Sequence, residues 1–133
     1  MTETPKKILV VDDEPDTLTY LRTVLEDQGY TTQAALNGEE AIEALQSDRP
    51  DLVTLDITMP EKSGVAVYRK LRQDPKYASI PVVMITGVTD DFKRFISTRR
   101  QVPPPDAYIS KPVDHEELIR VVEGLLSPET VSG

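Results

Sequence analysis

Ile8-Leu9-Val10-Val11-Asp12-Asp13-Glu14-Pro15 decides how this chain is read. Four apolar residues run without polar alternation and then stop at a pair of aspartates. A short continuous apolar run of this kind marks a strand buried on both faces, as in a parallel sheet. The same pattern recurs along the chain. Asp56 follows Leu52-Val53-Thr54-Leu55, Thr86 closes Val82-Val83-Met84-Ile85, and Lys111 follows Ala107-Tyr108-Ile109-Ser110 and precedes Pro112. Three carboxylates, one hydroxyl and one ammonium are too polar to extend those runs inward. If the runs are neighbouring parallel strands, all five groups meet at one edge of the sheet, which is where open α/β sheets bind ligands.

The segments between these runs read as helices. The first strand is expected over Lys6 to Val11. Pro15 suits a first helical turn, Leu18, Leu21 and Leu25 recur at helical spacing, and Gly29 stops the helix. Tyr30 to Leu36 reads as a second strand, with Asn37-Gly38 as the turn after it. Ala41, Ala44 and Leu45 mark a second helix ended by Arg49-Pro50. Asp51 to Leu55 is the third strand, and Asp56 to Ser63 is a loop. The third helix runs from Gly64 to Arg72 with Val65, Tyr68 and Leu71 inward. The fourth strand is Pro81 to Thr86. The fourth helix is Asp90 to Arg100, with Phe92, Phe95 and Ile96 on one face. The fifth strand is Asp106 to Ser110. The fifth helix is Asp114 to Leu126, with Leu118, Val122 and Leu125 inward. Five β-α units with right-handed crossovers make a five-stranded parallel sheet, doubly wound, with helices on both faces. The flavodoxin-like order 2-1-3-4-5 puts the first and third strands side by side at the switch point. The expected domain covers residues 1–127, with a flexible tail over 128–133.

Bulk composition narrows the function. A chain of 133 residues suits one domain with a real core. Its net charge is −8, with 23 acidic against 15 basic residues. That balance argues against a nucleic-acid surface and against an anionic membrane. No cysteine is present and His115 is the lone histidine, so thiolate catalysis and zinc sites built on Cys or several His are excluded. Met1 to Lys7 is polar and leads directly into a strand, so the expectation is a cytoplasmic protein without a signal peptide or membrane span.

The strand-end groups suggest a chemistry. Carboxylates crowded in a shielded crevice repel one another, and a divalent cation relieves that repulsion. All candidate ligands are oxygens, which favours a hard ion such as Mg²⁺. Lys111 adds a positive point charge on the other flank, and Thr86 a hydroxyl donor. Cation, ammonium and hydroxyl together suit a phosphoryl group. Asp56, central among them, is the natural nucleophile for an aspartyl-phosphate. Each residue also has a plainer role: Asp12 or Asp13 as a helix cap, Thr86 as a structural hydroxyl, Lys111 as a solvated lysine. Their joint occurrence at four different strand ends favours the phosphoryl site over these plainer roles.

ILVVDDEP, LVTLDITMPEKSG, VVMITG and YISKP, in that order, span nearly the whole chain. With them the sequence resembles the response-regulator receiver domain, the phosphoacceptor module of two-component signalling. The resemblance implies that Asp56 accepts a phosphoryl group from a histidine kinase or phosphotransfer protein. It implies Mg²⁺ held by Asp12, Asp13 and Asp56, with the backbone carbonyl of Thr58. It matches Lys111 to the phosphoryl-binding lysine, with a cis bond to Pro112. It matches Thr86 and Tyr108 to a switch pair. The phosphorylated protein would then present a remodelled face of fourth helix, fifth strand and fifth helix to a downstream protein. Catalysis would be limited to the chain's own phosphorylation and dephosphorylation.

Two stretches depart from that pattern. The join Gln101-Val102-Pro103-Pro104-Pro105-Asp106 replaces a short Gly- and Ala-containing loop, and three prolines stiffen it and remove backbone donors. Thr58 and Val88, at the positions that tune phosphate lifetime in such proteins, cannot orient an attacking water, so slow self-dephosphorylation is expected. Two other classes compete. An aspartate-nucleophile phosphatase of the haloacid-dehalogenase type wants an acid where Thr58 stands. A pure docking module would carry the same site and never be phosphorylated.

Overall fold

Parallel strands joined through helices must bury both faces of the sheet, and the strands here are composed for that. The computed structural model describes residues 5–56, 63–86 and 106–126. Five strands, β1 (Lys7–Val11), β2 (Thr31–Ala35), β3 (Leu52–Asp56), β4 (Val82–Thr86) and β5 (Ala107–Ser110), form one parallel sheet in the order β2-β1-β3-β4-β5. This is the expected doubly wound order. Every residue of β3 and β4 is buried, and only Lys7 of β1 is not. The edge strands β2 and β5 are more open.

Side chains alternate along each strand and so split the core in two. Leu9, Val11, Val53, Leu55, Val82 and Met84 face α2 (Gly38–Ser47) and α3 (Ser63–Gln73), meeting Ala41, Ala44 and Leu45 from the first and Val67, Tyr68 and Leu71 from the second. Ile8, Val10, Leu52, Val83, Ile85 and Ile109 face α1 (Pro15–Asp27) and α4 (His115–Leu126), meeting Leu18, Leu21, Leu25, Leu118 and Val122. The last of these helices is the fifth of the sequence reading; Leu125 packs beside it only partly buried. Val67 is a core residue that the helical spacing did not single out. The expected loop after Asp56, the fourth helix, the proline join and the tail from 128 lie outside the described residues, as does the side chain of Val65.

Local chemistry sets the element ends. Pro15 occupies the first turn of α1, where a missing N–H costs nothing. Gly29 ends that helix at φ +97°, a left-handed conformation suited to glycine. Asn37-Gly38 is a helix start rather than a plain turn. The Asn37 side chain accepts the Glu40 N–H at 2.8 Å, and the Glu40 carboxylate accepts the Leu36 N–H at 2.7 Å. These exchanges satisfy donors that the helix itself cannot. Asp56 likewise closes β3 instead of opening the following loop.

The N-terminal edge of the sheet is pinned by two aspartates used in the same way. Asp51 donates its N–H to the Lys7 carbonyl and accepts the Lys7 N–H on its carboxylate. Asp106 does the same with Val82, through bonds of 3.0 and 2.8 Å. Lys7 also pairs with Asp48.

Thr54 stands at the centre of β3 with its hydroxyl sealed from solvent and without a hydrogen-bond partner among the described residues. A buried hydroxyl in that state costs free energy, and valine has the same shape without the oxygen. Thr54→Val is expected to raise stability by about 1 kcal/mol in chemical denaturation. A loss of stability would show that the hydroxyl is paired.

Candidate functional site

Because all five strands run the same way, their C-terminal ends share one edge, and the register brings the polar groups level. Val11 pairs with Leu55, so Asp12 lies beside Asp56 across adjacent strands. Asp56 pairs with Ile85, and Thr86 with Ser110, so Thr86 and Lys111 each stand one step further along. The Lys111 N–H donates to the Thr86 carbonyl at 2.9 Å, locking the two strand ends together.

Alternation then sorts the groups by face. Asp12 continues the row of Val10, Asp56 that of Leu52 and Thr54, and Lys111 that of Ile109, all on the α1/α4 side. Thr86 continues the row of Val82 and Met84, and Tyr108 packs against the same cluster, on the α2/α3 side. The three groups that meet around a charge therefore lie on one side of the sheet. The hydroxyl and the aromatic lie on the other.

Lys111 reaches across β4 to place Nζ 3.1 Å from Asp56 Oδ2 and 3.4 Å from Asp12 Oδ2. Asp12 and Asp56 are fully buried, Thr86 nearly so, while Asp13 is exposed. Asp12 Oδ1 accepts the Glu14 N–H at 2.9 Å. Among the described residues its Oδ2 has no hydrogen-bond partner of normal geometry, and it lies close to both the Lys111 ammonium and the Asp56 carboxylate. The sequence reading gave Glu14 no role, yet its carboxylate stands 4.0 Å from Lys111 Nζ. Its membership of an acidic triplet was the available signal. The Lys111-Pro112 bond is cis.

The electrostatics follow from burial. Desolvation pushes the Asp12 carboxyl up; the Glu14 N–H opposes this, the charge of Asp56 adds to it, and Lys111 opposes it, with a net rise. For Lys111, burial pulls the ammonium down, but Asp56 and then Asp12 more than offset this and raise it. The lysine therefore stays charged through the neutral range, and its stabilising contribution is lost only as pH rises through its raised value. Asp12 follows the same sign: its contribution is full in acid and is lost as pH rises through its raised folded value. Asp12→Asn is accordingly expected to stabilise the metal-free protein by about 1 kcal/mol at neutral pH. The gain should shrink as the pH falls into the acid range. Denaturation curves at both ends of that range check the sign.

The donor set fits a hard divalent cation. Asp12, Asp13 and Asp56 each offer a carboxylate oxygen, all within 4.8 Å of one another. The buried Asp12 Oδ2, without a hydrogen bond of normal geometry among the described residues, is the kind of atom a cation would satisfy. Thr58, expected to add a backbone carbonyl, lies outside the described residues, as do Met59-Pro60 and Val88. No helix among the described residues is long and apolar enough to cross a membrane.

Comparison with known proteins agrees with this geometry. Residues 8–123 match the response regulator receiver domain family. Response regulator Rre1 of Synechocystis is 38% identical, over 96% of this chain and 54% of its own. Protein PilH of Pseudomonas aeruginosa is 31% identical, over 91% of this chain and 98% of its own. The crystal structure of the signal receiver domain of a signal transduction histidine kinase from Syntrophus aciditrophicus superposes with a TM-score of 0.82 at 34% identity, covering 96% of this chain and 95% of that one. The chain thus spans about half of some relatives and nearly all of others. With strand order, clustered acids and family match in agreement, the chain belongs to the response regulator receiver domains, the phosphoacceptor modules of two-component signalling.

Proposed function

We propose that Asp56 is the phosphoacceptor and that Lys111 holds the transferred group. The observation that carries this reading is the 3.1 Å approach of Lys111 Nζ to Asp56 Oδ2 beside two further carboxylates. An Asp56 oxygen attacks phosphorus, the bond from phosphorus to the donor's leaving group breaks, and that group departs with the electron pair. Lys111 then balances the charge on the phosphoryl oxygens, and the work of the site is positioning and neutralisation. Asp12, Asp13 and Asp56, with the Thr58 carbonyl, would hold Mg²⁺, which supplies positive charge to both carboxylates and phosphoryl group.

The donor in this reading is a histidine kinase or phosphotransfer protein, and the chain catalyses nothing beyond its own phosphorylation and dephosphorylation. Thr86 and Tyr108 share the α2/α3 side of the sheet. On phosphorylation Thr86 turns toward the phosphoryl group and Tyr108 moves inward. The change passes to a downstream protein through a face that includes β5 and α4.

Incubation with Mg²⁺ and acetyl phosphate, read by intact mass, tests the acceptor. One added phosphoryl group is expected. Failure with both acetyl phosphate and phosphoramidate would favour a docking module instead. With Thr58 and Val88 at the sequence positions that tune phosphate lifetime in such proteins, the phosphorylated form should decay slowly, and a half-life of seconds would contradict that.

A further inference from the structure

Tyr20 is out of place by the usual rule for aromatic side chains. It sits on α1 with 40% of its surface exposed, off the face that carries Leu18, Leu21 and Leu25 into the core. Its burial therefore does little for the fold. Its hydroxyl, however, crosses 93 residues of sequence to donate to the Val113 carbonyl at 3.1 Å. Val113 belongs to the short turn that carries Lys111 out of β5 and into α4.

The turn's other hydrogen bonds among the described residues are at its two ends. The Lys111 N–H is held by the Thr86 carbonyl at one end. At the other, Asp114 caps α4, its carboxylate accepting the Glu117 N–H and its carbonyl the Leu118 N–H. Between them Pro112 is exposed and has no N–H to give. Val113 packs its side chain against the core, and the Tyr20 hydroxyl adds a hydrogen bond to its carbonyl, the described side-chain hydrogen bond on the middle of the turn. The same helix approaches Lys111 a second time, through the Glu14 carboxylate 4.0 Å from Nζ. Glu14 is itself held by the Thr17 hydroxyl at 3.0 Å. An open groove of about 560 Å³ runs between these contacts, lined by Asp16, Thr17, Tyr20, Lys111 and Pro112 among others.

Lys111 has to deliver an ammonium at hydrogen-bond distance from Asp56 on the far side of β4. A long, flexible side chain does this reproducibly only if its backbone is fixed, and displacements near 1 Å can cost about a hundredfold in rate. We propose that Tyr20 is a positioning residue for the phosphoryl site: its hydroxyl holds the turn from which Lys111 reaches the transferred group. This rests on the acceptor reading of Asp56 and Lys111, and it deepens that reading by making α1 part of the site's support.

The test separates the metal from the phosphoryl group. Mg²⁺ alone would be held by carboxylates and a carbonyl, whereas fluoroberyllate, a phosphoryl mimic on Asp56, would also draw on Lys111. Both are titrated by NMR into the full chain, as wild type, Tyr20→Phe, Lys111→Ala and the double variant. In Tyr20→Phe, fluoroberyllate affinity should fall about three- to tenfold, the scale of one hydrogen bond. Mg²⁺ affinity should stay unchanged. In the Lys111→Ala background, Tyr20→Phe should have no further effect. Equal fluoroberyllate affinity in wild type and Tyr20→Phe overturns the inference, as does an undiminished loss in the Lys111→Ala background. A parallel loss of Mg²⁺ affinity also overturns it, since that would mark general loosening. Absence of fluoroberyllate binding by the wild type overturns both this inference and the acceptor reading. The two failures are therefore distinguishable.

Discussion

Asp56→Asn is expected to abolish phosphoryl uptake from acetyl phosphate, lowering its rate by about a thousandfold or more, the scale seen when a covalent nucleophile is removed. Asparagine keeps the shape of the side chain at the end of β3, but its amide oxygen is a poor nucleophile. The substitution also removes a charge that raises the Asp12 carboxyl. That relief offsets the loss of a counter-charge for Lys111, so the variant should still fold while losing the reaction. Intact mass after incubation with donor and Mg²⁺ gives the first result, and a denaturation midpoint gives the second. A mass gain that persists in Asp56→Asn would move the acceptor to another carboxylate, with Asp12 or Asp13 next in reach.

Arg72→Ala should cost about 3 kcal/mol of stability. Removing one partner of a buried ion pair costs more than that at full burial, and the exposed side of Asp106 discounts it. The Arg72 side chain is only 7% exposed, and all three of its nitrogens donate hydrogen bonds. Nε donates to the Tyr68 hydroxyl at 3.2 Å, Nη1 to the carbonyls of Ala78 and Ile80, and Nη2 to Asp106 Oδ2 at 2.7 Å. The guanidinium also lies 5.1 Å from the centroid of the Tyr68 ring. One side chain thus ties α3 to the turn before β4 and to the entrance of β5. Alanine would leave two carbonyls without their donor and a carboxylate without its cation. Urea denaturation measures the loss, and a value below about 1 kcal/mol would mean that water replaces the network at little cost. The pair lies at the sheet edge opposite the carboxylate cluster, so phosphoryl uptake measured well below the unfolding transition should be little affected.

The Arg72 network shows where sequence reading stops. Leu71 was legible as a core residue from its spacing, and Arg72 beside it looked like the end of a helix. Nothing local signals that its guanidinium turns back under the helix to meet Asp106, because the pairing spans 34 residues. Asp106 itself was read only as the start of a strand. Tyr20 is the same case: a tyrosine on the solvent side of an amphipathic helix carries no sign of a partner 93 residues away. Asn37-Gly38 fails for a different reason. Both a turn and a helix cap use those residues, and only the reciprocal bonds with Glu40 decide between them.

The sequence by itself determined the parallel sheet, its order, and the set of residues at its C-terminal edge. Strands buried on both faces need uninterrupted apolar runs, and a polar residue ending each run cannot continue inward, so composition along the chain reports depth directly. Tertiary structure alone decided which of those residues touch. Register set Asp12 level with Asp56. Alternation put Lys111 on their side of the sheet and Thr86 with Tyr108 on the other. Side-chain reach brought Glu14 and Tyr20 to Lys111 and its turn. Such contacts depend on distances of a few ångströms between segments far apart in sequence, and a linear pattern carries polarity and period but not those distances.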